Sequence, residues 1–119
     1  GGVVGVHALS DFISKGAKAK LEDLLNHIDH IVMLAGVDHV GIGPDLLENW
    51  PVDLLRQIWA GTPVADMEFV YPNDFDSLAK FPNLTRGLVA RGYSDEEIRK
   101  ILGGNFLRIF QEVWKGNEA

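Results

Sequence analysis

The residues best placed to do chemistry are His7 and Asp45. Each ends a short apolar run. Gly1-Gly2-Val3-Val4-Gly5-Val6 leads into His7, and Val40-Gly41-Ile42-Gly43 leads through Pro44 into Asp45. A polar group at the carboxyl end of a buried parallel strand is where α/β proteins put their chemistry. There a carboxylate can carry a proton, and an imidazole can ligate a metal, act as a base or bind a substrate carboxylate. Plainer readings stand beside these. Asp after Pro is a common turn or cap residue, and spacing alone favours that for Asp45. His7 fits a hydrogen-bonded rim position equally well. One His and one Asp are too few for a closed metal site, which takes three or more protein ligands.

Other groupings carry less. His27 and His30 lie three apart on a helix, a metal-pair spacing, but away from the core of its apolar stripe and without an acid site nearby. Solvated surface is the better reading. His39 opens its strand at the end away from the rim and reads as structural. Ser10 and Asp11 near His7 are too local for a Ser/His/Asp group, and no nucleophile elbow is present. Gly103-Gly104-Asn105 could cradle a phosphate at a helix start, but the lysine and spacing of a P-loop are missing. A helix break with Asn105 as N-cap fits better.

The elements that must hold these residues follow from periodicity. Val3 to Ala8 reads as a buried strand. Leu21, Leu24, Leu25, Ile28, Ile31, Val32 and Ala35 form one apolar stripe, which predicts a helix over Lys20 to Ala35 ended by Gly36. The strand Val40 to Gly43 follows, and Pro44 ends its ladder because it has no N–H. Strand, helix, strand is a βαβ unit, which makes the strands parallel and puts His7 and Asp45 at the same rim. Alternation places Val4, Val6, Val40 and Ile42 on one face, suited to a cover of helices. Gly5, His7, Gly41, Gly43 and Asp45 share the other, suited to a crowded barrel interior.

Leu46 to Asn73 is long and irregular, with a short helix expected over Pro51 to Ala60 and an extended run over Glu68 to Pro72. A loop of this length is usually functional or disordered; its aromatics Trp50, Trp59, Phe69 and Tyr71 favour an ordered lid. A polar connection runs from Asn73 to Pro82. A helix over Leu84 to Arg91 follows, ended by Gly92. Ser94-Asp95-Glu96-Glu97 is a capping box for the next helix. A last helix carries Phe106, Leu107, Ile109, Phe110, Val113 and Trp114.

Composition bounds the partners. The 119 residues are 46% hydrophobic and 24% charged, an ordinary globular mixture for one domain with a modest core. A net charge of −6 argues against nucleic acid. The absence of cysteine excludes disulfides and thiolate chemistry. No apolar run reaches the about 20 residues of a membrane span. No signal peptide is visible, so a cytoplasmic location is favoured as an expectation. A chain that opens directly on a core-like strand reads as a piece of a longer one.

Four segments make the chain familiar: GGVVGVHALSDFIS, HIDHIVMLAGVDHVGIGPD, DSLAKFPNL and RGYSDEEIRKILGGNFLRIFQEV. Together they resemble the C-terminal part of the membrane (renal) dipeptidase family, peptidase family M19, over nearly the whole chain except an insertion from Leu46 to Val70. The resemblance implies the C-terminal segment of a (β/α)8 TIM barrel of the metal-dependent hydrolase type. It implies two zinc ions at the carboxyl rim, a metal-activated water, and dipeptide substrates that include some with a D-residue at the carboxyl side. The family's metal ligands, an early His-x-Asp, a bridging Glu and two later His, would lie upstream, so the chain itself is expected to hold none.

Asp45 matches the first Asp of the family's Gly-x-Gly-x-Asp-Phe-Asp-Gly, which implies a catalytic role in proton transfer and at the substrate's amino group. Leu46, Leu47 and Glu48 depart from that motif. His7 stands where the family more often has Asn and is assigned to substrate binding; Leu9 stands where an aromatic is often found. The expected organisation is a βαβ unit over 1–45, a rim insertion over 46–73 and C-terminal helices over 74–119. The alternative is a truncated, metal-free module that acts only by association, as a homo-oligomer pairing exposed sheet edges.

Overall fold

Branched side chains on one face of two short strands, and glycine on the other, set the architecture. The computed structural model describes residues 1–15, 18–63, 65 and 68–115. Strands β1 (Val4–Val6) and β2 (Val40–Ile42) are parallel, pairing Val4 with Val40, Gly5 with Gly41 and Val6 with Ile42. They are shorter than the Val3 to Ala8 run suggests, because β1 turns into α1 (Ser10–Ile13) just past the rim. Backbone bonding still continues beyond them. The Gly43 N–H donates to the Val6 carbonyl (3.1 Å), and the Ala8 N–H donates to the Pro44 carbonyl (3.3 Å). Pro44 has no N–H to give, but its carbonyl keeps the two chains joined up to the rim.

Helix α2 (Leu21–Ala35) covers the branched face over Val6 and Val40, while Ile42 is part-buried and Val4, expected under the helices, stays 55% exposed. Leu21, Leu24, Leu25 and Ile28 are buried in one cluster with Val6 and Val40. Burying each such side chain is worth about 1.5–3 kcal/mol. The stripe is only half covered: Ile31 and Val32 are part-buried and Ala35 is exposed. The start of α2 is satisfied from both sides. The Asp23 carboxylate accepts from the Lys20 backbone N–H (2.8 Å), and Asp74, far along the chain, accepts from the Leu21 N–H (3.1 Å). Gly36 ends the helix at φ 93°, a left-handed turn that glycine adopts without strain.

Helix α3 (Val52–Ile58) occupies the expected part of the long segment, but Glu68 to Pro72 forms no strand. Of α3's apolar residues only Leu55 is buried. The polar connection after Asn73 hides a fully buried Phe75 and a 3-10 turn over Leu78–Lys80. Helix α4 (Phe81–Ala90) starts three residues before the position expected from the sequence. Pro82 lies inside its first turn, where a missing N–H costs nothing. Its Leu84 and Leu88 are fully buried against α2. Beyond it, Arg91 donates to the Asp29 carboxylate and to Asn26 (2.7 Å), and the Tyr93 hydroxyl donates to Asp29 (2.7 Å), fastening α4 to α2.

The capping box forms as expected at α5 (Asp95–Arg99): the Glu97 N–H donates to Ser94 Oγ (3.3 Å), and the Ser94 N–H to the Glu97 carboxylate (2.8 Å). A wide turn, Lys100–Gly104, then runs into α6 (Asn105–Trp114). Asn105 is not the N-cap that its type suggests. It is the first helical residue, 2% exposed, and its amide donates to the carbonyls of Val37 (2.7 Å) and Val40 (2.8 Å). The two acceptors, Val37 in the 3-10 turn before β2 and Val40 at the start of β2, outcompete a local cap. This bond also brings Phe106 onto the glycine face. A Cβ on Gly41 would stand 2.8 Å from the ring's Cδ2, so the strand needs glycine there.

Candidate active site

The structure brings His7 and Asp45 together. β1 delivers His7 to the rim one residue past Val6, and β2 delivers Asp45 past Gly43-Pro44. His7 Nε2 lies 3.2 Å from Asp45 Oδ2. His7 Nδ1 accepts the Leu9 backbone N–H at 2.9 Å. The neutral ring therefore carries its hydrogen on Nε2 and donates it to the carboxylate. Phe12 sets an edge against the same ring, centroids 4.9 Å apart, so the imidazole is held from three directions. The Asp45 side chain is 59% exposed, which leaves its second oxygen open to solvent.

The Asp45 backbone is unusual. Its φ is 53°, the left-handed region that costs most residues energy but that Asp tolerates. Tyr71 secures it by donating its hydroxyl to the Asp45 carbonyl at 2.5 Å. Burial, and then the charge of Asp45, push the Tyr71 phenol above its ordinary value, so it stays a protonated donor. From the sequence Tyr71 is only one of several lid aromatics; nothing in its local pattern points to Asp45.

Other candidates lie elsewhere. His27 Nε2 donates to the Ile13 carbonyl (3.2 Å), tying α2 to α1, and His30 is exposed. His39 Nδ1 donates to the Gly2 carbonyl (2.8 Å) at the opposite end of the strands. Ser10 is buried and its hydroxyl has no partner among the described residues, so it forms no relay with His7. Gly103-Gly104-Asn105 is taken up in the turn and in the Asn105 bonds to β2. Among the described residues no three of His, Asp and Glu stand together as a metal site. No helix among them is long and apolar enough to cross a membrane.

A family model for membrane dipeptidase, peptidase family M19, matches residues 1–54 and 65–119. The unmatched stretch, 55–64, is shorter than the insertion read from the sequence. An uncharacterized dipeptidase of Schizosaccharomyces pombe is 32% identical over 121 residues, a match to 99% of this chain and 24% of that protein. The crystal structure of an amidohydrolase from Pseudomonas aeruginosa is 27% identical with a TM-score of 0.83, over 94% of this chain and 36% of its own. A metallo peptidase from Rhodobacter sphaeroides, solved with a phosphinate mimic of the dipeptide L-Ala-D-Ala, is 24% identical with a TM-score of 0.70, over 95% and 28%. The chain thus spans about a quarter of the curated relative it matches. Its two parallel strands and their helices are part of the barrel fold of these structures.

Proposed function

The chain belongs to the membrane dipeptidase family, peptidase family M19, and from that premise we propose that its protein is a zinc-dependent dipeptidase in which Asp45 is the catalytic carboxylate. The observation that carries the reading is the rim geometry. Asp45 ends a barrel-type strand with one carboxylate oxygen held by His7 and the other open. His7 and Asp45 are two donors, and two do not make a zinc centre. The reading therefore assigns the metal ligands to other parts of the protein, and the roles below rest on this chain's own groups.

The open oxygen of Asp45 can accept a proton from the attacking water and return it to the departing amine, as general base and then general acid. The same charge can hold a substrate ammonium. His7 donates to Oδ2 and so fixes which oxygen is free, and its partly exposed ring is assigned to contact with the substrate. In the natural full-length protein, Asp45→Asn keeps the size of the side chain and removes the base. It is expected to lower kcat on dipeptides by about 10²–10⁴-fold, the usual span for a positioned acid–base group. Unaltered turnover would remove Asp45 from the mechanism.

A further inference from the structure

Beside Asp45 lies a cavity of about 530 Å³, within the range of about 300–1,000 Å³ that small-molecule pockets occupy. Two of its lining residues are tied to Asp45. Leu47, two residues beyond Asp45, lines it, and so does Tyr71, whose hydroxyl bonds the Asp45 carbonyl. Trp50, Leu55 and Phe69 stand in its apolar part, which is about half of the lining, and Glu48, Arg56, Glu68 and Asp76 stand in the polar part. Phe69 is stacked on Trp59 with centroids 4.9 Å apart, which fixes its ring. Of the lining residues, Leu55 and Arg56 fall in the stretch 55–64 that the family model passes over, while Trp50, Phe69 and Tyr71 lie in stretches that it matches.

The charges around the cavity are predominantly acidic. Glu48, Glu68 and Asp76 line it against a single cation among the described residues, Arg56, which makes a solvent-exposed contact with Asp53 (3.8 Å), while Asp76 is paired with Lys80 (2.6 Å). Glu48 accepts the Leu78 backbone N–H (2.9 Å). No ion pair among the described residues includes Glu48 or Glu68. Two carboxylates without cationic partners would repel a third brought among them.

We propose that this cavity receives the side chain of one residue of the dipeptide, selecting large apolar side chains and rejecting acidic ones. The inference rests on the dipeptidase reading and adds a substrate class to it. An aromatic or leucyl side chain would leave water for the Trp50, Leu55 and Phe69 walls, and Tyr71 would link its seat to the main chain of Asp45. A glycine would leave those walls unfilled.

The test uses the natural full-length protein and kcat/KM on Gly-Gly and on Phe, Leu and Glu placed in turn at each position against Gly. At one position, Phe and Leu are expected to exceed Glu by about tenfold or more, as pocket contacts of this kind discriminate. Trp50→Ala is expected to cut the Phe-to-Gly ratio at that position by about tenfold. Trp50 is half exposed, so the change leaves no buried void. Glu68→Gln is expected to raise Glu-containing substrates several-fold relative to Leu, an independent reading of the charge argument. Equal rates on all side chains, or ratios unmoved in both variants, would overturn the inference and leave the dipeptidase reading standing. Hydrolysis of none of these dipeptides would overturn both.

Discussion

Asp45 stands where the backbone itself has to be held. At φ 53° it sits in a conformation that Asp accepts but does not seek, just past a proline that can donate no hydrogen bond. The two contacts that hold it are of different kinds. His7 acts on the carboxylate, and Tyr71 acts on the main chain. Tyr71→Phe deletes one hydroxyl and keeps the ring in its pocket wall. A single hydrogen bond of this sort is worth about 0.5–1.5 kcal/mol. Under the proposed dipeptidase function, if that energy goes to keeping Asp45 in register with a substrate, kcat of the full-length protein falls by about threefold to tenfold while the melting temperature moves little. A full-strength Tyr71→Phe enzyme would show that the αL turn at Asp45 is kept by its neighbours alone. The His7–Asp45 pair was legible from the sequence, because two apolar runs joined by one amphipathic helix leave little freedom in where their ends point. Tyr71 was not legible: it arrives from 26 residues away along an irregular segment whose path no periodicity encodes.

At the scale of elements, the strands are the least self-sufficient part and depend on what reaches them from the C-terminal end. Asn105 anchors α6 to the carbonyls of Val37 and Val40, and the turn of helix that follows lays Phe106 on the glycine face. Gly41 is where this arrangement is tightest. In Gly41→Ala the new methyl would meet the Phe106 ring, and a ring pinned by its neighbour's two hydrogen bonds has little room to retreat. Overpacking of this kind costs about 1–3 kcal/mol. Urea unfolding should show that loss, and Gly41→Ala combined with Phe106→Leu should recover part of it. An unchanged midpoint for the single variant would mean the ring moves freely. The helices were legible where a stripe repeats, as over Leu21 to Ile28, and where a cap has both partners in view, as at Ser94 and Glu97. Phe75 and Asn105 were not. Phe75 lies in a polar run, and Asn105 has a residue type that predicts a local cap. In both cases distant packing overrode the local signal.

At the scale of the whole chain, the apolar side of α6 is the feature that most needs an explanation. Phe110 is partly open, Leu107 is 57% exposed, Val113 is 70% exposed and Trp114 is 75% exposed. The sheet has only β1 and β2 among the described residues, so each strand has one unpaired edge. An apolar stripe in a sequence says that a helix packs against something, but not against what. The buried cluster shows that α2, α4 and the strands already satisfy one another without α6's outer side. Open edges together with an uncovered apolar helix face favour association. Residues 1–119 prepared alone are therefore expected to self-associate, with a sedimentation coefficient that rises with concentration. Trp114→Glu places a charge in the most exposed apolar position of α6 without touching the buried cluster. It is expected to shift the equilibrium toward monomer while leaving the helical circular dichroism of the folded part in place. A chain that stays monomeric across the accessible concentration range, with or without that change, would show that α6 and the sheet edges tolerate water. The association expected of this segment would then have no physical basis.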